Sequence, residues 1–308
     1  PALLQEQKAK IITTTEKASV TLSKFSKRLS ALAQRNNLLF GAFGNGFLLW
    51  DSFQSYRVGR WIEANRSKVD EWFQVVAVFD AYNSLGNFSF NHQKFTYPKL
   101  VSHGHIFDVK QAAHPLMNPQ VAVKNDFAID DGHFLIITGA NMAGKSTFLR
   151  TVSAMIVMAN IGLPVCASQC HYKPIKLITS MRTTDSLSDD ESYFFSELKR
   201  LKFIVDAIAK SDYFIILDEI LKGTNSTDKA IGSKKFIEKL NGTNSTGIIA
   251  THDLSLCDVA NSLAEVHNFY FDAEIINDEL HFDYTLKTGI CQNMNASFLL
   301  KKMQIVDD

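Results

Sequence analysis

Apolar residues in the first third of the chain return at the spacing of one helix face. Leu22, Phe25, Leu29 and Leu32 recur every three or four positions, and Val69, Trp72, Phe73, Val76, Phe79 and Tyr82 do the same between Lys68 and Leu85. This period predicts long helices, the second stopped by Gly86 and Asn87. Leu38 to Trp50 is the most apolar early stretch, yet Asn45 and three glycines interrupt it. It is also shorter than the ~20 residues a spanning helix needs, so it reads as a buried helix or turn, and no membrane span is expected within the chain. Between Phe88 and Val109, aromatic residues, Pro98 and short polar breaks predict a linker running into short strands.

From about residue 106 the pattern changes to short apolar runs followed by helical segments. Phe134 to Thr138, Tyr213 to Leu217 and Thr246 to Ala250 read as buried strands. Val266 to Phe271 is expected to form a hairpin with Leu280 to Leu286, with Asn277 and Asp278 near its turn. The predicted fold class is α/β: a mostly parallel central sheet flanked by helices, preceded by a smaller helical domain. The expected boundaries are a helical region over 1–105, the α/β domain over 106–290 and a C-terminal helical tail over 291–308.

Composition narrows the setting. With 308 residues and 46% apolar content the chain can bury a sizeable core. Its 32 basic and 32 acidic residues cancel, so there is no broad attraction to a nucleic-acid backbone, and any DNA contact must be local or made elsewhere. Cys166, Cys170, Cys257 and Cys291 are too few and too scattered for a disulfide framework, which points to a reducing cytosol. Cys166 and Cys170 with His171 lack the second ligand pair of a structural zinc site. Asn225 and Asn244 open Asn-x-Ser/Thr triplets, but nothing resembles a signal peptide and they read as chance. The chain opens with Pro1 and not Met, so a piece of a longer protein is expected.

The strongest chemical signal is Gly139-Ala140-Asn141-Met142-Ala143-Gly144-Lys145-Ser146, the G-x-x-x-x-G-K-[ST] pattern lying between an apolar strand and a helical run. Glycines let the backbone wrap so that successive N–H groups and a helix N-terminus face phosphate oxygens. Lys145 then supplies charge near the β and γ phosphates, and Ser146 ligates Mg²⁺. The buried run Tyr213 to Leu217 ends in Asp218-Glu219. In P-loop enzymes the first such acid holds the metal, and an adjacent glutamate can orient and deprotonate the attacking water. Thr251-His252-Asp253 follows a third strand, where an open α/β sheet binds its ligand, so His252 is a candidate γ-phosphate sensor.

These stretches resemble the ATPase domain of MutS DNA mismatch repair proteins, within the ABC-type branch of P-loop ATPases. The likeness rests on Ala113-His114-Pro115-Leu116, Thr138 through Thr147, Gly162 through Ala167, Asp185 through Phe194, Leu217 through Asp228 and Ala250-Thr251-His252, and covers about residues 110 to 290. It implies ATP and Mg²⁺ as cofactors and a homodimer with composite nucleotide sites. Ser192 matches the signature serine that reaches the partner's γ-phosphate, and Asp228 the acid of the loop that crosses to it. Asn141 matches the family's P-loop asparagine, and His114 lies where the family keeps residues near adenine. Departures are Ala140 and Ala143 in place of proline and glycine, Asp190 in place of the glycine two residues before Ser192, and Lys229 in place of a glycine after Asp228. Ser192 also suits a helix cap, with Glu197 nearby.

Residues 1 to 100 resemble the inner ends of the family's long helices, a lever between DNA clamp and ATPase. The Phe-x-Glu triplet Phe236-Ile237-Glu238 follows the acidic pair on a predicted helix, so it reads as packing and not as a mismatch wedge. The implied function is ATP hydrolysis coupled to dimerisation and helix movement, with DNA engaged at or beyond the N-terminal end. The competing readings are a nucleotide-binding switch or scaffold without mismatch recognition, and another ABC-type ATPase. The latter predicts an LSGGQ-like signature, which Asp189-Asp190-Glu191-Ser192 is not.

Overall fold

The computed structural model describes residues 2–11, 17–181, 193–221, 224–276 and 279–292. The chain divides into two compact units, Pro1–Asn91 and His92–Asp308.

The first unit is helical: α1 Ala2–Ile11, α2 Ala18–Ala33, α3 Leu38–Leu48 and α4 Trp50–Asn91. At 42 residues, α4 extends about 63 Å at 1.5 Å per residue. Its contact with α2 is small and aromatic. Ala18, Trp61 and Trp72 are buried together with Phe25 and Val69 against them, and the Phe25 and Trp61 rings stack at 4.0 Å. Two expectations are corrected here. Gly86 and Asn87 do not stop the helix; Gly86 lacks the left-handed φ of a helix terminus, and an isolated interior glycine costs only about 1 kcal/mol. The stretch from Leu38 to Trp50 is helical as far as Leu48 and turns at left-handed Leu49, but it is not buried, since Phe43, Phe47 and Leu48 are 65–81% exposed. The stripe on α4 is likewise only partly covered: Trp72 is buried while Phe73 and Val76 lie open.

The second unit holds two sheets. In chain order its strands are β1 Lys99–Leu100, β2 His105–Ala112, β3 Asn125–Asp130, β4 Phe134–Gly139, β5 Gln169–Tyr172, β6 Lys176–Ser180, β7 Tyr213–Asp218, β8 Thr246–Ala250, β9 Val266–Phe271, β10 Glu274–Ile276, β11 Glu279–His281 and β12 Leu286–Thr288. Its helices are α5 Lys145–Asn160, α6 Tyr193–Ile208 and α7 Ser226–Asn241. The central sheet runs β12-β9-β4-β8-β7-β6 and is parallel except for β12. β4 and β8 are buried at every position, which explains their continuous apolar runs. Ile136, Ile215, Leu217 and Ile249 of the sheet share one core with Ile204 of α6 and Ile237 and Leu240 of α7. The Phe236-Ile237-Glu238 triplet thus lies within α7, with Ile237 fully buried.

The second sheet is ordered β1-β5-β2-β3; the short strands expected before Val109 are β1 and the start of β2, while their pairing with β5 and β3 is beyond what the sequence pattern predicts. Phe107 of β2 meets Phe214 of β7 edge-on at 6.1 Å, and Phe127 of β3 meets Phe148 of α5 at 5.3 Å, so this sheet packs beside the central one. Residues 96–100, read from sequence as part of the first region, pair with this unit: Thr96 bridges Val165, and Lys99 pairs with His171. The expected hairpin is also redrawn. Val266–Phe271 pairs antiparallel with Leu286–Thr288, whereas Leu280 pairs with Ile275 in a separate hairpin. Asn277 and Asp278 lie outside the described residues.

Candidate functional site

Register brings the chemistry to one edge of the sheet. Ala250 of β8 stands between Ile137 of β4 and Asp218 of β7, so the loops leaving all three carboxyl ends open side by side. Two hydrogen bonds extend the ladder beyond the strands: Thr251 N–H donates to Ile137 O at 3.0 Å, and Glu219 N–H to Ala250 O at 2.8 Å.

The glycine loop turns on left-handed backbone at Gly139, Met142 and Gly144, with φ of 138°, 67° and 113°. Gly139 is demanded twice, by its φ and by space, because a Cβ there would stand 2.3 Å from Phe271 O in the backbone of β9. Gly139→Ala must push two central strands apart. We expect a loss of roughly 2–5 kcal/mol, read as a lower midpoint in thermal denaturation; an unchanged midpoint would show that the strands have room. Ala143, which stands where the family has glycine, does not have a positive φ and is fully buried, so its Cβ is accommodated. Met142 takes the left-handed residue's place and is 80% exposed.

Gly144 caps the start of α5, whose first N–H groups have no acceptor within the helix. Lys145 folds back over the loop, its Nζ donating to Gly139 O at 2.7 Å and Ala140 O at 2.9 Å. Burial pushes its pKa down to about 8, against the pull of the Asp218 and Glu219 carboxylates. An added anion at this loop would favour the charged form. Ser146 Oγ donates to Asp218 Oδ2 at 2.7 Å, so a hydroxyl from α5 and a carboxylate from β7 lie within reach of one ion. Among the described residues no group of three or more His, Cys, Asp or Glu is placed to hold a metal alone. Mg²⁺ suits such a sparse donor set, because it keeps waters and takes substrate phosphate oxygens as ligands. Burial pushes the Cys170 thiol up to about 12, so it is a neutral thiol near pH 7.

Glu219 has φ of 60°, a conformation that costs a non-glycine residue about 1–3 kcal/mol and is typical of functional sites. The turn beyond it is held by a buried carboxylate: Glu197 Oε1 accepts from Leu221 N–H at 2.7 Å. Glu219 Oε1 itself accepts from Lys229 Nζ at 2.9 Å. His252 is shifted below its ordinary pKa, first by burial and then by the charge of Lys145, and is therefore neutral near pH 7. His114 is shifted the same way by burial and by Arg150.

One cavity of about 650 Å³ is lined by His114, Ala140 through Thr147, Asp218, Glu219 and His252. Gly139 ends the strand below it. Asp228 is not in that lining; it lies in the exposed first turn of α7, where its N–H donates to the capping Asn225 Oδ1 at 2.9 Å. Ser192, with Asp190 and Glu191, lies outside the described residues. The sequence reading missed Met117, Val121, Val123 and Tyr284, which give the cavity an apolar flank. They come from irregular segments with no motif. Asn125 ties that flank together, donating to Tyr284 O at 3.0 Å and accepting from Leu286 N–H at 2.7 Å.

A buried parallel strand, a glycine loop with its lysine, and a helix starting at that lysine, beside a sheet mate ending in two acids, define a domain of the P-loop kind. The family model described as MutS domain V matches residues 135–304, so the chain belongs to the MutS family. A DNA mismatch repair protein MutS from Methanococcoides burtonii is 31% identical over 231 residues, covering 72% of this chain and 26% of that protein. Another from Lachnoclostridium phytofermentans is 28% identical, covering 78% of this chain and 28% of its own length. The human MutS protein homolog 4 is 31% identical over 61% of this chain and 21% of its own length. This chain therefore spans about a quarter of the length of these relatives. No helix among the described residues is long and apolar enough to cross a membrane.

Proposed function

We propose that this chain binds and hydrolyses ATP with Mg²⁺, and that nucleotide-driven pairing of two copies moves helices that engage DNA in mismatch repair or related DNA metabolism. The observation that carries the reading is the 2.7 Å hydrogen bond from Ser146 to Asp218. It joins the helix behind the glycine loop to the acid of a neighbouring strand, the two protein groups that hold the ion in P-loop enzymes. A bound Mg²⁺ would offset charge on the β and γ phosphates. Lys145 holds the same oxygens from the loop side. Glu219 takes a proton as water oxygen bonds to the γ-phosphorus in line, and the bond from that phosphorus to the β–γ bridging oxygen breaks. Neutral His252 donates one N–H hydrogen bond to the γ-phosphate, and the apolar flank at Met117 and Val121, beside His114, suits the adenine.

Partners follow from the family. Asp228 is exposed and so available to a second copy, and the resemblance assigns Ser192 to the partner's γ-phosphate, which favours a homodimer with composite sites. DNA is the proposed ultimate partner, supported by the names of the bacterial and archaeal relatives, with contacts at or beyond the N-terminal end. The few, scattered cysteines suit a reducing cytosol.

Steady-state phosphate release by the full chain, with ATP and Mg²⁺, tests the reading. Release that stops on chelation of Mg²⁺ is expected. Tight ATP binding with no release would favour the second reading, a nucleotide-binding switch, for which the engagement of Glu219 by Lys229 speaks.

A further inference from the structure

Lys229 stands where the family resemblance leads one to expect glycine, and the structure gives its side chain a specific task. Asn225 caps α7, accepting from Asp228 N–H at 2.9 Å and donating to Asp228 Oδ2 at 2.8 Å, while Lys229 N–H donates to Asn225 O at 3.0 Å. The first turn of α7 is thereby fixed, and the lysine stem leaves it in a defined direction. Its Nζ reaches Glu219 Oε1 at 2.9 Å, with the two side chains only 19% and 26% exposed. Such a charge-assisted bond is among the stronger kinds, and it is poorly screened there.

Direction matters as much as strength. Glu219 lines the large cavity, whereas Lys229 lines a second depression of about 360 Å³ with Ser226, Thr227 and Ala230 on one side and His252 and Asp253 on the other. The ammonium therefore draws the carboxylate from the first turn of α7. The Glu219 backbone is left-handed, and its N–H is tied to Ala250 O at 2.8 Å. Among the described residues, Lys145 and Asp218 line the large cavity with Glu219, His252 lines both cavities, and Asp253 lines the second with Lys229.

Building on the assignment of Glu219 as the base, we propose that Lys229 is a positioning residue that restrains hydrolysis, holding the Glu219 carboxylate toward α7 and away from the attacking water. Turnover then requires the lysine to release that oxygen, so the rate of hydrolysis is set in part by a residue that touches neither nucleotide nor water.

The test uses the full chain with ATP and Mg²⁺. Lys229→Met keeps the aliphatic stem and removes the charge. It is expected to raise kcat about five- to tenfold, with KM and the affinity for a fluorescent ATP analogue changed less than about twofold. Lys229→Arg should stay near the wild-type rate, and Lys229→Met should have no effect in the Glu219→Gln background, because the restraint acts through that carboxylate. Melting curves confirm that each variant is folded. A kcat that is unchanged or lower in folded Lys229→Met, while the parent hydrolyses ATP and Glu219→Gln does not, overturns the restraint and leaves the base assignment standing. A raised KM at constant kcat also overturns it, marking Lys229 as a phosphate contact. No turnover in parent and Lys229→Met alike, despite ATP binding, overturns the hydrolytic reading and the restraint with it; turnover in Lys229→Met alone supports the restraint.

Discussion

Lys145→Ala is expected to weaken ATP binding by more than about thirtyfold, the effect of truncating one partner of a buried charge pair worth roughly 2–5 kcal/mol. Lys145 is 6% exposed and its ammonium is held by two carbonyls of its own loop, Gly139 O and Ala140 O, so it is already oriented before any ligand arrives. Its pKa of about 8 shows that burial works against its charge in the absence of an anion. A triphosphate supplies the missing opposite charge, and alanine forfeits that gain completely. The fold should hardly suffer, because the substitution also removes a desolvated cation, and the thermal midpoint should stay within a few degrees. Titration with a fluorescent ATP analogue reads the loss. Equal affinity in folded Lys145→Ala would remove this loop from the nucleotide site.

The parts of the site that could be read from sequence are those whose chemistry is contiguous. Gly139 to Ser146 follows a strand buried on both faces, so the apolar run and the loop announce each other, and the acids at 218 and 219 follow a second such run. That these two strands are separated only by β8 is a property of sheet order, which residue periodicity does not encode. The same limit hid the second sheet, whose partners Phe107 and Phe214 are far apart in sequence, and it misassigned the strand facing Val266–Phe271. Gly86 misled for another reason: a glycine is a stop only when the backbone uses its left-handed freedom, and here the helix runs on to Asn91.

Lys229 is the instructive intermediate case. Its identity stood out against the family pattern, and it lies ten positions beyond Glu219, but only the turn back through Asn225 makes them partners. The apolar flank at Met117, Val121 and Tyr284 gave no such sign. Those side chains belong to irregular segments, where their place beside the cavity follows from tertiary structure and not from any repeating spacing.

Glu219→Gln is expected to keep ATP binding and lower turnover by about a hundredfold or more, within the range that general-base catalysis supplies. Glutamine preserves size and one carbonyl oxygen but cannot take a proton from water. The ground-state contacts to phosphate, from Lys145 and the loop amides, are untouched. In kinetic terms kcat should fall while the affinity for the ATP analogue stays within a few-fold, since only an interaction specific to the transition state has been removed. The same variant separates binding from the step after it. If ATP closes two copies around composite sites, a subunit that cannot hydrolyse should accumulate as a dimer, doubling the mass seen by light scattering when ATP and Mg²⁺ are added. Full phosphate release by Glu219→Gln would assign the base elsewhere at this edge. An unchanged mass at saturating ATP would leave a nucleotide site that functions within one copy, and Asp228 would then have no partner's nucleotide to meet.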